Sequence, residues 1–497
     1  MGSTFSTYNI ATTGMYNGQA ALTTVSTNLS NINTTGYSRQ RIISTEQTVV
    51  LSGTNSYGTG VAVDSIERVR DSFLDKTYRD AKAGTEYWKE KDSVLEDAQA
   101  LLNEYDGTDS TTATDDSNGL QKTIQNFFDS WSDLSNDPSS QSARKSLVES
   151  ASAMLNVMND LDEELADIQE NAGARLTTGV STLNDLAKQV ATLNGQIIAT
   201  ENCGNSANDL EDARDELIDE MSALTNVSVA EQSDGSADVY IGSVSLVKGI
   251  TSRSLTTAED DNQQLYVKWT DLNCEASITN GSLKAYREEA NTSAVTAIQD
   301  TADYNFKVSG DSSVANLRQG LNNLLTTIAD QVNTILTSGK DLYGDTGVAL
   351  FVASDANTTM SVGNITLNST ITDTTTGVNK IAAGTTGGSE DNTLALKINK
   401  LQETDILKAD GLSMSVTDYY QTLVSWVGTT GDTVDSNYDT QDSLLLQADT
   451  QRKSTAAVSQ DEELSKMITY QNAYNASARV LNTVDQMIGD MIEALGT

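Results

Sequence analysis

Apolar residues recur at a fixed spacing at both ends of this chain. Near the start they fall three and four apart: Tyr8, Ala11, Met15, Gly18, Leu22, Val25, Leu29 and Ile32. That is a heptad seam, the pattern of a helix that packs along a partner helix. The far end repeats it with Leu464, Ile468, Tyr474, Ala478, Leu481, Val484, Ile488, Met491 and Leu495, with Gln471 at one polar position. Asp461, Glu462 and Glu463 stand where that second helix begins, and the helix dipole favours acids there. The spacing predicts a seam helix at each terminus, neither able to bury its stripe alone. They pair with each other or with copies from other subunits.

The interior also reads as helical at first. Leu120, Ile124, Phe127, Phe128, Trp131 and Leu134 mark one helix, closed by the turn Asn136-Asp137-Pro138. Leu147 to Ile168 marks a second, Leu176 to Ile197 a third, and Asp209 to Leu224 a fourth rich in acid–base pairs at helical spacing. The period then shortens to two. Val227 to Val229, Val239 to Ile241 and Val244 to Val247 are punctuated by Asp234-Gly235 and Gly242-Ser243, which predicts β-hairpins. A further strand pair is expected from 265–269 with 276–283. Helix returns from Leu317 to Ile335, and 354–391 is a Ser/Thr/Gly-rich stretch of short strands and loops. Helix resumes from Leu394, and a long helix is expected from about Asp442 to the end, with a break near Lys453. The expected fold is mostly α with a β insertion: terminal helices paired as a coiled coil, a long-helix bundle and a β-rich outer domain. Residues 1–45 and 456–497 would form the terminal assembly domain. The bundle would take 46–225, 310–345 and 395–455, and the outer region 226–309 and 346–394.

Composition removes several functions. Among 497 residues, 31 Lys and Arg face 70 Asp and Glu, a net charge of −39. Such a chain repels phosphate backbones and anionic lipid, so neither nucleic acid nor membrane is an expected partner. No apolar run approaches the length of a membrane span. There is no histidine, which excludes His-dependent nucleophile triads and His-ligated zinc. Two cysteines, Cys203 and Cys274, are too few for a disulfide framework and are read as free thiols. The first 38 residues carry no charged side chain, with Arg39 the first basic one, so no cleavable signal peptide is expected.

Candidate chemistry is thin. The acidic run from Asp209 to Glu220 could suggest a cation site, but it lacks calcium-loop spacing and reads as a solvated helix face with Arg214 pairing nearby acids. Asp260-Asp261 could be called a glycosidase dyad, yet no second motif supports it. Gly384 to Gly388 is not followed by the Lys of a phosphate loop. No cofactor or metal, and no enzymatic activity, is expected.

Several stretches carry a resemblance. Leu29 to Arg39, with Asn33, Gly36 and Tyr37, resembles the Asn-x-x-Asn-x-x-Thr-x-Gly-Tyr signature of the bacterial flagellar axial proteins. Val69 to Arg79, Phe127-Phe128 to Arg144, Asn208 to Asp215, and Tyr470 to Tyr474 with Ala478-Arg479-Val480 resemble, in order, elements of the hook-associated branch of that family. The resemblance implies a structural subunit that joins hook to filament outside the cell. It implies export through the flagellar type III apparatus, helped by a cytoplasmic chaperone at the C-terminal region. Implied partners are copies of the chain itself, hook subunits and the second junction protein. The assembly interface would be the seams and the signature loop: Tyr8, Met15, Leu22, Val25, Leu29, Ile32, Asn33, Gly36, Tyr37, Leu464, Ile468, Tyr474, Leu481, Val484, Ile488, Met491 and Leu495. Rival readings are another axial protein, such as the hook protein or the second junction protein, or a surface protein with an enzymatic or adhesive insertion.

Overall fold

The structure is a computed structural model that describes residues 4–47, 50–52, 55–106, 119–261, 264–291, 305–308, 310–355, 358–373 and 376–495. The chain opens with α1 (Thr4–Ser30) and turns into a long hairpin of β1 (Gln40–Glu46) and β4 (Val61–Arg68), tipped by the short β2 (Val50–Ser52) and β3 (Asn55–Tyr57). β1 and β4 are antiparallel with a register shift between Ile43 and Ser44. Four helices follow: α2 (Ser72–Asp106), α3 (Leu120–Asn136), α4 (Gln141–Asn202) and α5 (Asn208–Leu224). Pro138 cannot continue α3, and the Ser140 side chain caps α4 by accepting from the Ala143 N–H.

A four-stranded antiparallel sheet comes next, with β5 (Val227–Glu231), β6 (Ala237–Ile241), β7 (Val244–Lys248) and β8 (Thr251–Ser252) side by side in chain order. β9 (Leu255–Glu259) and β10 (Leu265–Trp269) form a separate hairpin. Then come α6 (Ser282–Glu289), β11 (Asn305–Phe306), α7 (Ser313–Thr337), the pair β12 (Phe351–Ala353) and β13 (Ile365–Leu367), α8 (Ser369–Thr372) and α9 (Thr393–Asn399). β14 (Leu407–Ala409) and β15 (Leu412–Met414) lead into α10 (Val416–Ala456) and α11 (Gln460–Leu495).

Two cores lie along α4. Its first half packs Leu147, Met154, Leu161 and Leu165 against α3, α7, α9 and α10, around Phe127, Phe128 and Trp131. Its second half packs Leu176, Leu183 and Val190 against α5 and the strands β5–β7, β9 and β10, around Trp269. At ~1.5 Å per residue the 62-residue α4 is about 93 Å long. Among the described residues, none before Val94 or after Val427 belongs to either core.

The mostly α fold with a β insertion and paired terminal helices is as expected, and four details differ. The second and third helices of the sequence reading are one, because Ile168 to Leu176 contains nothing that breaks a helix. Residues 265–269 pair with 255–259, and 276–283 is not the second strand: 276–281 is irregular and α6 begins at Ser282. α10 begins at Val416, not near Asp442, and its break from α11 falls at 457–459. The β1–β4 hairpin was not anticipated. Its polar edges, such as Gln40-Arg41 and Ser44-Thr45-Glu46, hide the alternation of Ile42 and Ile43 with Val61, Val63 and Ile66.

Candidate functional site: the paired terminal helices

α1 and α11 lie side by side and antiparallel. Gly14 faces Ser477, Gly18 faces Tyr474, and Asn28 faces Glu463. A Cβ at Gly18 would stand 3.4 Å from the Tyr474 Cα, so the two backbones are nearly in contact there. A side chain there would meet the Tyr474 Cβ at 3.3 Å, so one helix would have to give by a few tenths of an ångström.

The face of α1 turned to α11 is Ala11, Gly14, Gly18, Ala21, Val25 and Asn28. The sequence seam shares Ala11, Gly18 and Val25 with it but is rotated by one residue elsewhere. Met15, Leu22 and Leu29 flank the contact, half-buried. On α11, Glu463 and Val484 are buried, and Tyr474, Leu481 and Ile488 are half-buried along the same line. Tyr8, Ile32, Leu464, Ile468 and Met491 are exposed, so they are not part of the contact between the chain's own two helices. The Leu495 side chain lies outside the described residues. Ile10, Tyr16, Val480, Met487 and Ile492 are exposed too, with Ile468 at 61% and Ile492 at 66%. In a molecule with two dry cores, this is an unusual quantity of apolar surface on one element pair.

Heptad position sorts that surface. Tyr8, Met15, Leu22 and Leu29 form one flank of α1. In an antiparallel pair that flank lies beside Leu464, Gln471, Ala478, Asp485 and Ile492 of α11, apolar except at Gln471 and Asp485. The opposite flank of α1 is covered by the hairpin: the Ser44 hydroxyl bonds Asn17 at 2.6 Å, and Thr13 bonds the Val61 N–H at 3.4 Å.

The signature loop is a polar knot at the base of the pair. Asn28, fully buried, donates to the Gln40 carbonyl and to Glu463, both at 2.9 Å. Its side-chain oxygen accepts from the Tyr37 hydroxyl at 2.8 Å and from the Gln40 N–H at 2.9 Å. Burial, then Asp212, Asp209 and Glu463, push the Tyr37 hydroxyl pKa well above its ordinary value, so it stays a donor. Gly36 turns the chain at φ +77 beside Glu216. Asn33 is exposed in this loop. Asn28 is the first Asn of the Asn-x-x-Asn-x-x-Thr-x-Gly-Tyr pattern, yet the sequence reading assigned it no role.

Below the knot, the acidic run of α5 is not a solvated face. Asp212, Arg214 and Asp215 are buried. Arg68 meets Glu211 at 2.7 Å, Asp212 at 2.9 Å and Asp215 at 2.7 Å. Arg70 meets Asp75 at 2.8 Å and Asp215 at 3.0 Å, and Arg79 meets Asp219 at 2.6 Å. Burial pushes the Asp215 carboxyl pKa up, but Arg70, Arg68, Arg79 and Arg214 together hold it down to about 2. Arg214 does not form an ion pair as the sequence suggested. It donates to the Gly235 carbonyl at 2.7 Å and to Asn194 at 3.4 Å, tying α5 to the sheet.

A groove of about 850 Å³ runs between this loop and α2, α5 and α10, lined by Tyr78, Glu216, Leu446 and Lys453 among others. Among the described residues no cluster of three or more acids or cysteines is arranged to hold a metal, and no helix is long and apolar enough to cross a membrane. Cys203 and Cys274 are exposed and unbonded.

Residues 454–494 match the family description "Flagellar basal body rod FlgEFG protein C-terminal", which places the chain among the flagellar axial proteins. Residues 90–351, just over half the chain, match "Flagellar hook-associated protein FlgK helical domain". The chain is 31% identical over 521 residues to flagellar hook-associated protein 1 of Bacillus subtilis, covering 100% of this chain and 99% of that one. It is 24% identical to the protein of that name from Escherichia coli, covering 97% and 98%. A structure of the flagellar hook junction protein FlgK from Burkholderia pseudomallei shares its fold, with TM-score 0.59 at 14% identity over 78% of this chain and 100% of that one. The chain belongs to the flagellar hook-associated protein FlgK family, structural proteins of the extracellular flagellum.

Proposed function

We propose that this chain is a non-enzymatic subunit that joins hook to filament and assembles through its terminal helix pair. The observation that carries this is the open flank: Tyr8, Met15, Leu22 and Leu29 beside Leu464, Ala478 and Ile492, with the other flank of α1 closed by its own hairpin. Burying such a stripe is favourable by ~25 cal/mol per Å², and only another subunit can do it. The uncharged surface of α1 supports close packing of copies, since no charged side chain there must lose its hydration.

Copies of the chain, hook subunits on one side and the second junction protein on the other are the partners this reading names. The division of labour follows: 1–45 with 456–497 for assembly, a helical bundle outside it, and the β-rich 226–309 as an outer region on the second half of α4; 346–394 buries Phe351, Ile365 and Ile381 in the first core and so goes with the bundle. The exposed stripe of α11 also supports a cytoplasmic export chaperone at the C-terminal region, because Ile468 and Ile492 need cover before assembly.

Ile468→Asp tests the assembly reading. In cells where secretion of the variant is verified, hooks should form and filament subunits should be shed into the medium. Attached filaments at the parental number would overturn it.

A further inference from the structure

The two cores of the body share no side chain, and a buried polar layer lies between them. On α4 the first core ends at Leu165, with Ile168 packed against it, and the second begins at Leu176. Between them the helix buries Gln169. Arg318 of α7 forks onto Asp162 of α4 at 2.7 and 2.9 Å and donates to the Gln169 side-chain oxygen at 2.7 Å. The Gln169 amide donates to the Asn291 carbonyl at 2.9 Å, just past the end of α6. Glu289, the last residue of α6, is fully buried and caps α7. Its carboxylate accepts from the Ser312 hydroxyl at 3.1 Å and from the Ser313 and Val314 N–H groups at 3.0 and 3.3 Å. Lys91 of α2 closes the layer, 3.0 Å from both Glu288 and Glu289, and the Tyr87 hydroxyl donates to Glu288 at 2.8 Å. α2 crosses the layer too, from Arg79, which meets Asp219 of α5 at 2.6 Å, to Val94 in the first core.

An apolar seam and a charged layer couple their two sides differently. Opening an apolar seam exposes its whole area to water, and the cost rises with that area. Opening a layer of ion pairs returns hydration to each charge, which offsets most of the lost attraction. Little cooperativity therefore crosses a charged layer. Deleting one partner in place is another matter, because the other then stays buried and unpaired.

We propose that the layer of Lys91, Asp162, Gln169, Glu288, Glu289 and Arg318 divides the body into two units that open separately, with α4 running through both. The unit of α5, β5–β10, α6 and the second half of α4 has the smaller apolar core and opens first. The helix then parts between Ile168 and Leu176 while α3, α7, α9 and α10 stay folded. In the native state α4 is one rod, and the division lies in how it comes apart. Neither unit draws on the terminal helices for its core.

The test is native-state amide exchange on the full-length chain, read along α4 in urea too dilute to unfold it. Amides from Leu147 to Ile168 should exchange roughly tenfold or more slower than those from Leu176 to Ile197, with the step inside 169–175. Fluorine NMR of the same chain carrying fluorotryptophan should show the Trp269 signal of the second core lost at lower urea than the Trp131 signal of the first. Leu246→Ala, in the second core, should lower the Trp269 midpoint and leave the Trp131 midpoint in place. If that variant does not fold, Ile218→Val in the same core is read the same way. Coincident or reversed midpoints in the parent, one level of protection along the whole of α4, or a Trp131 midpoint that falls with that of Trp269 in the readable variant would each overturn the division.

Discussion

The body around α4 and the terminal helix pair are built from the same residue types and treat them in opposite ways. In the body, Leu324 and Ile328 are entirely buried; in the pair, Ile468 and Ile492 are mostly exposed. The body's close packing is made with large side chains, Phe127 against Trp131 and Phe351. In the pair, α1 makes the close approach with Gly14, Gly18 and Ala21 and leaves Tyr8, Met15, Leu22 and Leu29 on its flank, while α11 turns Tyr474, Leu481 and Val484 to it. The body is therefore finished as a single chain, and the pair is finished only on one side. Small residues inside and large ones on the flank of α1 are what the proposed assembly role requires of that helix.

Four substitutions or titrations would break or sharpen that contrast. The largest effect belongs to Trp131→Ala, which opens a cavity in the first core. It should lower unfolding stability by ~3–5 kcal/mol in a urea titration and leave the α1–α11 contact intact. Next is acid. The Asp215 carboxyl is held at about 2 against an ordinary 3.8, so the ion-pair cluster contributes its full stability above the ordinary value. That contribution is lost as pH falls through about 2, and is worth ~2 kcal/mol between about pH 4 and 2. Asp215→Asn should flatten this limb of a stability-against-pH curve, while an unchanged limb would assign it to other acids.

Gly18→Val comes third. It forces the backbones apart at Tyr474 and should cost the pair about 1–2 kcal/mol, seen as faster amide exchange in α11 with the body's exchange unchanged. The smallest effect on the single chain is that of Ile492→Asp, whose side chain already faces water. Its unfolding midpoint should stay within ~0.5 kcal/mol of the parent. A larger loss would mean that Ile492 is packed in the monomer and that the contrast between the two regions is false.

How far the sequence could be read follows from the same contrast. The period of the terminal seams was legible, because heptads need only spacing. Their phase was not. Hydrophobicity puts Met15, Leu22 and Leu29 in the seam, whereas close approach puts Gly14, Ala21 and Asn28 there. Small residues look like absent signals until two backbones meet. On α11 the phase is right at Tyr474, Leu481, Val484 and Ile488, which do face α1, and off by one at Leu464, Ile468 and Ala478. The acids of α5 were misread for a different reason. Arg68, Arg70 and Arg79 lie about 140 residues away from Asp215 in sequence, and only the fold brings them together. The β1–β4 hairpin was invisible because one of its faces is occupied by α1 and the other by water, with polar residues spread across both.

The unbroken run of α4 has a mechanical consequence. One rod serves as a wall of two cores, with its first half in one and its second half in the other, and no joint between them. A torque on the sheet of β5–β8 cannot dissipate in a linker. It is delivered along the rod as rotation of the first core, where α3, α7 and α10 are fastened. For a part that sits between turning components, the stiffness of this strut sets how faithfully one end follows the other.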